Sequence, residues 1–222
     1  MGHRANPTIG DVRRALAQPR PGQIAHHRMA VQPPFDPKQF SHDQPPRQGA
    51  VLMLLYPKDG RLTFVLTRRT ETVLNHKGQV SFPGGAQEEG DASLAETAMR
   101  EAEEELGITL QDAEMLGALT CLYIAPSNYD VHPFVAHMPY RPDFHPFAAE
   151  VAELLEIPLS DLLDSSRFRE EVWLLRGREV IVPFFLLGGH KVWGATSMIL
   201  NELATMLNSL PAESEIENSR AI

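Results

Sequence analysis

The sequence predicts an α/β protein in which a mixed β-sheet is covered on both faces. Segments of strand type outnumber helical ones, and the clearest helical patterns fall early and late in the chain. Residues 49–56 also form a continuous apolar run, which is typical of a strand buried on both sides. Because strands and helices do not alternate one by one, a strict βαβ arrangement is disfavoured.

The first 46 residues are predicted to form an irregular N-terminal arm. They hold eight of the 18 prolines and contain more Lys and Arg than Asp and Glu. One short amphipathic helix fits there, with Ile9, Val12 and Leu16 on one side. The arm either packs on the body or on a partner subunit of a homodimer, or it forms a loose tail. The sequence alone leaves these alternatives open.

The body is predicted to cover residues 47–210, followed by a tail at 211–222. After the first strand and the turn "PKDG", a second strand covers 61–69. A glycine-rich loop precedes a helix over about 92–106, which ends at Gly107. The later segments are strands in "EMLGALTCLYIA", "DVHPFVAHM" and "EVAELLEI", a short helical turn in "PLSDLL", a hairpin in "EEVWLLRG" and "REVIVPFFLL", and a closing helix in "VWGATSMILNELATML".

Composition restricts the class of protein. The 222 residues suffice for one good-sized core, and 43% hydrophobic with 22% charged residues is ordinary for a soluble globular chain. No apolar run reaches the ~18 residues of a membrane span, and the first residues do not resemble a signal peptide. The single cysteine, Cys121, excludes an internal disulfide framework and a cysteine-built metal site. A cytoplasmic location is therefore predicted.

The net charge of −9 comes from the body, because the arm is basic. An acidic body disfavours nonspecific binding of nucleic acid and suits a protein that holds divalent cations. A solvated acidic surface, kept for solubility, explains the same charge.

Four glutamates crowd positions 101–105 of the predicted helix. With about 100° per residue, Glu104 and Glu105 share an arc of about 100° with Glu101, whereas Glu103 points to the far side. The shared arc borders the apolar stripe of the helix, so its carboxylates are partly desolvated and need compensation. Mg²⁺ or Mn²⁺, which prefer oxygen ligands, would supply it. The alternative is a solvated acidic face.

Two neighbours of this cluster favour the metal site. Arg100 can reach back and hold a carboxylate in a fixed rotamer. The preceding Pro83-Gly84-Gly85 loop lets the backbone approach a ligand closely and offers N–H groups to anionic oxygens. Loop and helix together predict a site for a phosphate and a metal ion.

The segment "REAEEELGI" at 100–108 resembles the second half of the Nudix hydrolase signature, G-x5-E-x7-R-E-U-x-E-E-x-G-U, with Ala102 at the first aliphatic place. The first half departs from it, because Asp91 replaces the first glutamate and the loop before Arg100 is one residue longer.

A second motif resembles the coenzyme A pyrophosphatase branch of that family, which also has the longer loop. The branch motif, roughly L-L-T-x-R-S-x-x-L-R-x-H-x-G-Q-x-x-F-P-G-G, matches "VLTRRTETVLNHKGQVSFPGG" at 65–85. The match departs at Thr70 and at Leu74, where the branch has Arg. Later segments, "EVAELLEIPLSDLL" and "VWGATSMILNELA", also resemble the branch, so the similarity covers about residues 47–208.

The resemblance implies a Nudix α/β/α sandwich that uses Mg²⁺ or Mn²⁺ to hydrolyse a diphosphate in a small nucleotide. For coenzyme A or acyl-CoA, the products are 3′,5′-ADP and 4′-phosphopantetheine or its acyl form. A bound metal ion lowers the pKa of water, and a glutamate orients or deprotonates that water. The residues implied are the metal ligands Glu101, Glu104 and Glu105, the catalytic residues Glu101, Arg100 and Glu104, and the substrate-binding residues Arg69, His76, Gly84 and Gly85.

Three assignments rest on single positions. Glu150 resembles a carboxylate that some members bring from a later loop, although an exposed glutamate at the start of a helix explains it equally. Asp91 is predicted to cap the helix. Only one of Arg68 and Arg69 can face the site, because neighbouring strand residues point to opposite faces, and the motif selects Arg69.

Two other hypotheses stand beside coenzyme A hydrolysis. The chain could act on ADP-ribose or another nucleoside-diphosphate substrate, since Leu74 removes a cation typical of the branch. It could also be a non-catalytic Nudix-like sensor or scaffold. Such proteins typically lose a metal-site glutamate, and all are present here.

Overall fold

The computed structural model describes residues 6–70 and 79–211. Over these ranges the strands form a main sheet of eight and a second sheet of three. The main sheet contains β1 (Arg47–Lys58), β2 (Arg61–Arg69), β3 (Val80–Ser81), β4 (Gly84–Ala86), β5 (Glu114–Ala118), β6 (Leu122–Ile124), β7 (Tyr129–His137) and β8 (Val151–Pro158). The second contains β9 (Phe168–Leu175), β10 (Arg178–Leu187) and β11 (His190–Trp193).

The helices lie on both sides of the main sheet, as the predicted fold class requires. They are α1 (Ile9–Leu16), α2 (Gln23–His27), α3 (Leu94–Leu106), α4 (Leu159–Leu163) and α5 (Gly194–Ser209), with short 3₁₀ turns at Pro37–Phe40 and Ser165–Arg167. In the part of the chain that the structure describes, no helix has both the length and the apolar character that crossing a membrane requires.

Strand β1 is the centre of the main sheet. It pairs in parallel with β7 and antiparallel with β2 and with the short β4, so the sheet is mixed. Its side chains alternate between two cores: Leu52 and Leu54 pack towards α3, whereas Met53 and Leu55 pack towards α1 and α5. The continuous apolar run at 49–56 therefore reflects burial on both faces.

The N-terminal arm packs on the body through its two helices. A capping box begins α1, in which Thr8 and Asp11 bond each other's backbone N–H groups. Val12 and Ala15 are fully buried in the core that also contains α5. Helix α2 packs on α5 as well, and the sequence did not predict it. The domain boundary after residue 46 remains a prediction.

Local geometry corrects two sequence assignments. The predicted strand "EMLGALTCLYIA" is two strands, β5 and β6, and both pair with β7. The glycine-rich loop contains β3 and β4, whose few residues have no hydrophobic alternation to reveal them. Because β4 pairs with β1, it brings Gly84 and Gly85 beneath α3.

Candidate active site

Helix α3 supplies the glutamates, and its ends are well defined. Ser93 caps the N-terminus, because its side chain accepts a hydrogen bond from the Glu96 backbone N–H at 3.2 Å. Gly107 ends the helix with a φ of 62°, as predicted. A side chain there would collide with the His145 carbonyl oxygen.

Asp91 does not cap the helix, and that prediction was wrong. Its carboxylate instead accepts two hydrogen bonds from Arg100, at 2.9 and 3.0 Å, and one from the Thr97 hydroxyl. The Arg100 guanidinium holds the pKa of Asp91 well below its usual range. An aspartate just before a helix can either cap it or pair with an arginine on it. The sequence alone did not distinguish these two roles for Asp91.

Arg100 joins the loop to the helix. Besides Asp91, it donates to the Ala86 carbonyl at 3.2 Å and to Glu101 Oε1 at 3.0 Å, and it lies 3.5 Å from Glu104. A planar guanidinium with several donors can make these contacts at the same time. The contact with Glu101 is the geometry expected of a residue that holds a carboxylate in place.

Glu101 lies against the backbone of β4. A Cβ atom added at Gly85 would fall 2.4 Å from the Glu101 carboxylate, so glycine leaves the space that this carboxylate occupies. Burial raises the pKa of Glu101, and the hydrogen bond from Arg100 opposes that rise. Gly84 approaches β1 just as closely, because its Cβ would meet the Ala50 carbonyl oxygen at 2.3 Å.

Glu105 is buried, with 7% of its surface exposed. Its nearest side-chain partners are distant: the Thr67 hydroxyl at 3.5 Å and Arg69 Nη1 at 3.9 Å. Burial raises the pKa of Glu105 to about 7, and the charges of Glu150 and Glu101 add to the rise. The positive charge of Arg69 and a hydrogen bond from the Gly84 backbone N–H oppose it only in part. A buried carboxylate with such weak compensation is the strongest local sign of a cation site.

Glu104 differs from its two neighbours because its side chain is 63% exposed and turned towards Arg100. Among residues 6–70 and 79–211, no three His, Cys, Asp or Glu side chains stand close enough together to hold a metal ion. The donor set nonetheless suits a hard divalent cation, since Glu101, Glu104 and Glu105 offer oxygen atoms beside a poorly compensated buried charge. To complete the predicted set, Glu104 has to turn from Arg100.

Arg69 ends β2 beside this cluster. It lies 3.9 Å from Glu105 and 3.8 Å from Glu150, and its side chain is 31% exposed. Arg68 points elsewhere and donates to Glu153 of β8 at 2.9 Å. The strand thus directs Arg69, rather than Arg68, towards α3. Glu150 contacts Arg69, its charge raises the pKa of Glu105, and 44% of its side chain is exposed.

His76, proposed to contact substrate, lies outside the described residues. Thr67 was missed as a neighbour of Glu105, since a threonine inside an apolar strand gives no separate signal in the sequence.

Comparison with known proteins identifies the family to which this sequence is similar. A family model described as "NUDIX domain" matches residues 46–183. A protein of Photorhabdus laumondii, named "Uncharacterized Nudix hydrolase NudL", is 38% identical over 178 residues, which cover 80% of this chain and 93% of that protein. A protein of the same name from Yersinia enterocolitica is 40% identical over 149 residues, covering 66% and 74%. These names specify a family and no substrate.

Solved structures are similar in fold. A Nudix hydrolase from M. smegmatis, RenU, superposes with a TM-score of 0.54 at 14% identity, covering 78% of this chain and 92% of that one. A MutT protein from Methanosarcina mazei Go1 gives a TM-score of 0.50 at 21% identity, covering 77% and 100%. At these identities the similarity concerns the arrangement of strands and helices.

Proposed function

This chain belongs to the Nudix hydrolase family, and from that premise we propose that it cleaves the diphosphate of coenzyme A or acyl-CoA. The family membership makes it a pyrophosphohydrolase, and Nudix hydrolases generally use divalent metal ions. The proposed products are 3′,5′-ADP and 4′-phosphopantetheine or its acyl form, and the proposed metal is Mg²⁺ or Mn²⁺. A cytoplasmic location remains our prediction from the single cysteine.

The proposed roles follow from the contacts on α3. Glu101, Glu104 and Glu105 would hold the metal ion, which when bound neutralises diphosphate oxygens and makes a bound water more acidic. Arg100 fixes Glu101 through its Nη1 and is itself held by Asp91 and the Ala86 carbonyl. Glu101, whose pKa is raised by burial, is the candidate to take a proton from the attacking water.

The observation that carries the choice of coenzyme A is the position of Arg69. Its guanidinium is partly exposed beside the glutamates, so it can meet an anionic group of a substrate whose diphosphate lies on α3. Coenzyme A has such a group in its 3′-phosphate, which ADP-ribose lacks. The sequence motif at 65–85 supports the same substrate.

ADP-ribose or another nucleoside diphosphate linked to a second moiety is the alternative. It is favoured by Leu74, which stands where the coenzyme A branch has an arginine. Without that cation, Arg69 carries a larger share of the proposed selectivity. The two candidates therefore differ in how strongly turnover depends on the 3′-phosphate.

The test compares coenzyme A with 3′-dephospho-coenzyme A in the wild type and in Arg69→Ala. A charge-assisted contact contributes about 1.5–3 kcal/mol, so the wild type should prefer coenzyme A by roughly one to two decades in kcat/KM. Arg69→Ala should lose most of this preference. Arg68→Ala is the matched control, because Arg68 pairs with Glu153, and it should keep the preference.

Two results would oppose the proposal. A wild type that prefers ADP-ribose over coenzyme A would move the substrate to the alternative. If the wild type cleaves coenzyme A and 3′-dephospho-coenzyme A with equal kcat/KM, Arg69 has another role. The proposed diphosphate hydrolysis would then still stand.

A further inference from the structure

A polar strip of the main sheet continues outward from Glu101. In the register of the sheet, Gly85 of β4 lies opposite Ala50 of β1, and Ala50 lies opposite His132 of β7. Leu122 of β6 pairs with Val131, so the preceding Cys121 adjoins His132, and their Sγ and Nε2 atoms are 3.6 Å apart. A row of positions thus runs from the Glu101 carboxylate across β4, β1 and β7 to Cys121, which directly precedes β6.

A second row lies beside the first. Gln48 of β1 is opposite Asp130 of β7, and Asp130 is opposite Tyr123 of β6. We call the five polar or aromatic members of the two rows the platform: Gln48, Cys121, Tyr123, Asp130 and His132.

The platform faces the same side of the sheet as α3. On β1, Ala50 and Leu52 lie two and four positions beyond Gln48, and on β7 Phe134 lies two positions beyond His132; all three belong to the core beneath α3. Side chains two apart on a strand share a face, so Gln48, Asp130 and His132 point to that side as well. Glu101 also lies there, since its carboxylate occupies the space next to Gly85.

The platform is open to a ligand. Cys121 is exposed and Tyr123 is 47% exposed, while Gln48, Asp130 and His132 are partly exposed. Adjacent strands are about 4.8 Å apart, so three steps from β4 to β6 span about 14 Å. This is about the length of four extended peptide residues, which a linear substrate arm attached to a diphosphate can follow.

The chemistry of the platform suits an uncharged, hydrogen-bonding arm. His132 Nε2 lies 2.9 Å from Gln48 Oε1, and Gln48 Nε2 donates to Asp130 Oδ2 at 3.2 Å, so the amide of Gln48 is held in one orientation. None of the five platform residues is Lys or Arg, and Asp130 carries a negative charge. A further phosphate would be repelled here, whereas amide groups would find both donors and acceptors.

The geometry points to the platform as the subsite for the pantetheine arm of the substrate. This inference rests on the proposed coenzyme A hydrolysis and assigns the two halves of that molecule to opposite sides of β1. The 3′-phosphate half extends towards Arg69 on β2, and the amide-bearing half crosses β1 and β7 towards Cys121.

Cys121 provides the test, because it is the only cysteine in the chain. The rate of its modification by N-ethylmaleimide is measured in wild-type protein with Mg²⁺, alone and with each half of the substrate. The probes are S-methyl-4′-phosphopantetheine, which has no thiol to react, and 3′,5′-ADP. Calorimetric titration fixes the concentration of each probe at ten times its Kd.

We expect S-methyl-4′-phosphopantetheine to slow the modification about tenfold at this occupancy, and 3′,5′-ADP to leave it nearly unchanged. Equal protection by both probes, protection by 3′,5′-ADP alone, or no protection by either would overturn the assignment. The proposed function is judged separately by hydrolysis of coenzyme A. An enzyme that cleaves coenzyme A but leaves Cys121 unprotected refutes the platform alone.

Discussion

Two buried glutamates, Glu105 on α3 and Glu202 on α5, have opposite electrostatic environments. Glu202 has no exposed surface, yet its pKa lies below the ordinary value. Burial acts to raise that pKa, but hydrogen bonds from His26 and Thr120 outweigh it. Glu105 is buried almost as well, and its pKa rises to about 7.

The difference lies in the donors that surround each carboxylate. Glu202 accepts from the Gly22 backbone N–H, from His26 Nε2, and from both the backbone N–H and the hydroxyl of Thr120. It therefore joins the arm and the β5–β6 loop to α5. Glu105 accepts a backbone hydrogen bond from Gly84, but its side-chain partners, Thr67 and Arg69, are distant. A satisfied buried carboxylate stabilises the fold, whereas a poorly compensated one is available for a cation.

The largest expected effect is on turnover. Glu105→Gln should lower kcat by on the order of 10³-fold or more, because it removes a proposed metal ligand. Steady-state kinetics at saturating Mg²⁺ measures this loss, and circular dichroism checks that the variant is folded.

Glu103→Gln is the matched control on the same helix. Glu103 points away from the site and accepts a hydrogen bond from the Leu110 backbone N–H at 2.6 Å, which a glutamine oxygen can also accept. Its kcat should stay close to that of the wild type. Similar losses in the two variants would contradict the proposed ligand set.

The second effect concerns stability. Glu202→Gln should lower the free energy of unfolding by about 3 kcal/mol, because it leaves His26 and the Thr120 N–H facing an uncharged amide in the interior. Denaturant titration measures the change, and kcat of the folded variant should be unaffected. An unchanged midpoint would show that the donors around Glu202 do not need its charge.

A smaller effect is expected for Arg100→Lys. Lysine keeps the positive charge but cannot bond Asp91, Glu101 and the Ala86 carbonyl together, so the orientation of Glu101 is lost. We expect kcat to fall about tenfold, or the metal affinity to weaken, with little change in KM. A rise in KM alone at saturating metal would instead indicate that Arg100 binds substrate.

The sequence predicted helix α3 better than its surroundings. Helical periodicity separated Glu103 from Glu105, and the structure has the former near Leu110 and the latter buried. Periodicity carries this information because it depends only on neighbouring residues. The short strand β4 depends on its pairing with the distant β1, and its few residues carry no local pattern that predicts it.

The N-terminal arm also shows that local sequence patterns do not predict contacts between distant segments. The pattern of Ile9, Val12 and Leu16 predicted α1, which the structure confirms. Nothing in the pattern distinguished packing on the body from packing on another subunit. The contacts of Gly22 and His26 with Glu202, 176 or more positions away, are tertiary and have no local signature. The platform was missed for the same reason, since Gln48 and His132 meet only through the pairing of β1 with β7.

Glu105, as a buried carboxylate that a metal ion compensates, is the central residue of the proposed site. Its pKa is near 4.5 when unfolded and about 7 when folded, so the folded protein binds the extra proton between these values. The free energy of unfolding of the metal-free wild type should therefore fall as pH rises from about 4.5 to 7, by up to about 3 kcal/mol, and then level off. Glu105→Gln should lack this fall.

The most direct measurement is the unfolding of the wild type and Glu105→Gln at pH 8, with and without Mg²⁺. We predict that without metal Glu105→Gln is at least as stable as the wild type, because it buries no charge. Mg²⁺ should raise the midpoint of the wild type and leave that of Glu105→Gln nearly unchanged. An equal response of both proteins to Mg²⁺, or a metal-free Glu105→Gln that is clearly less stable than the wild type, would contradict the account.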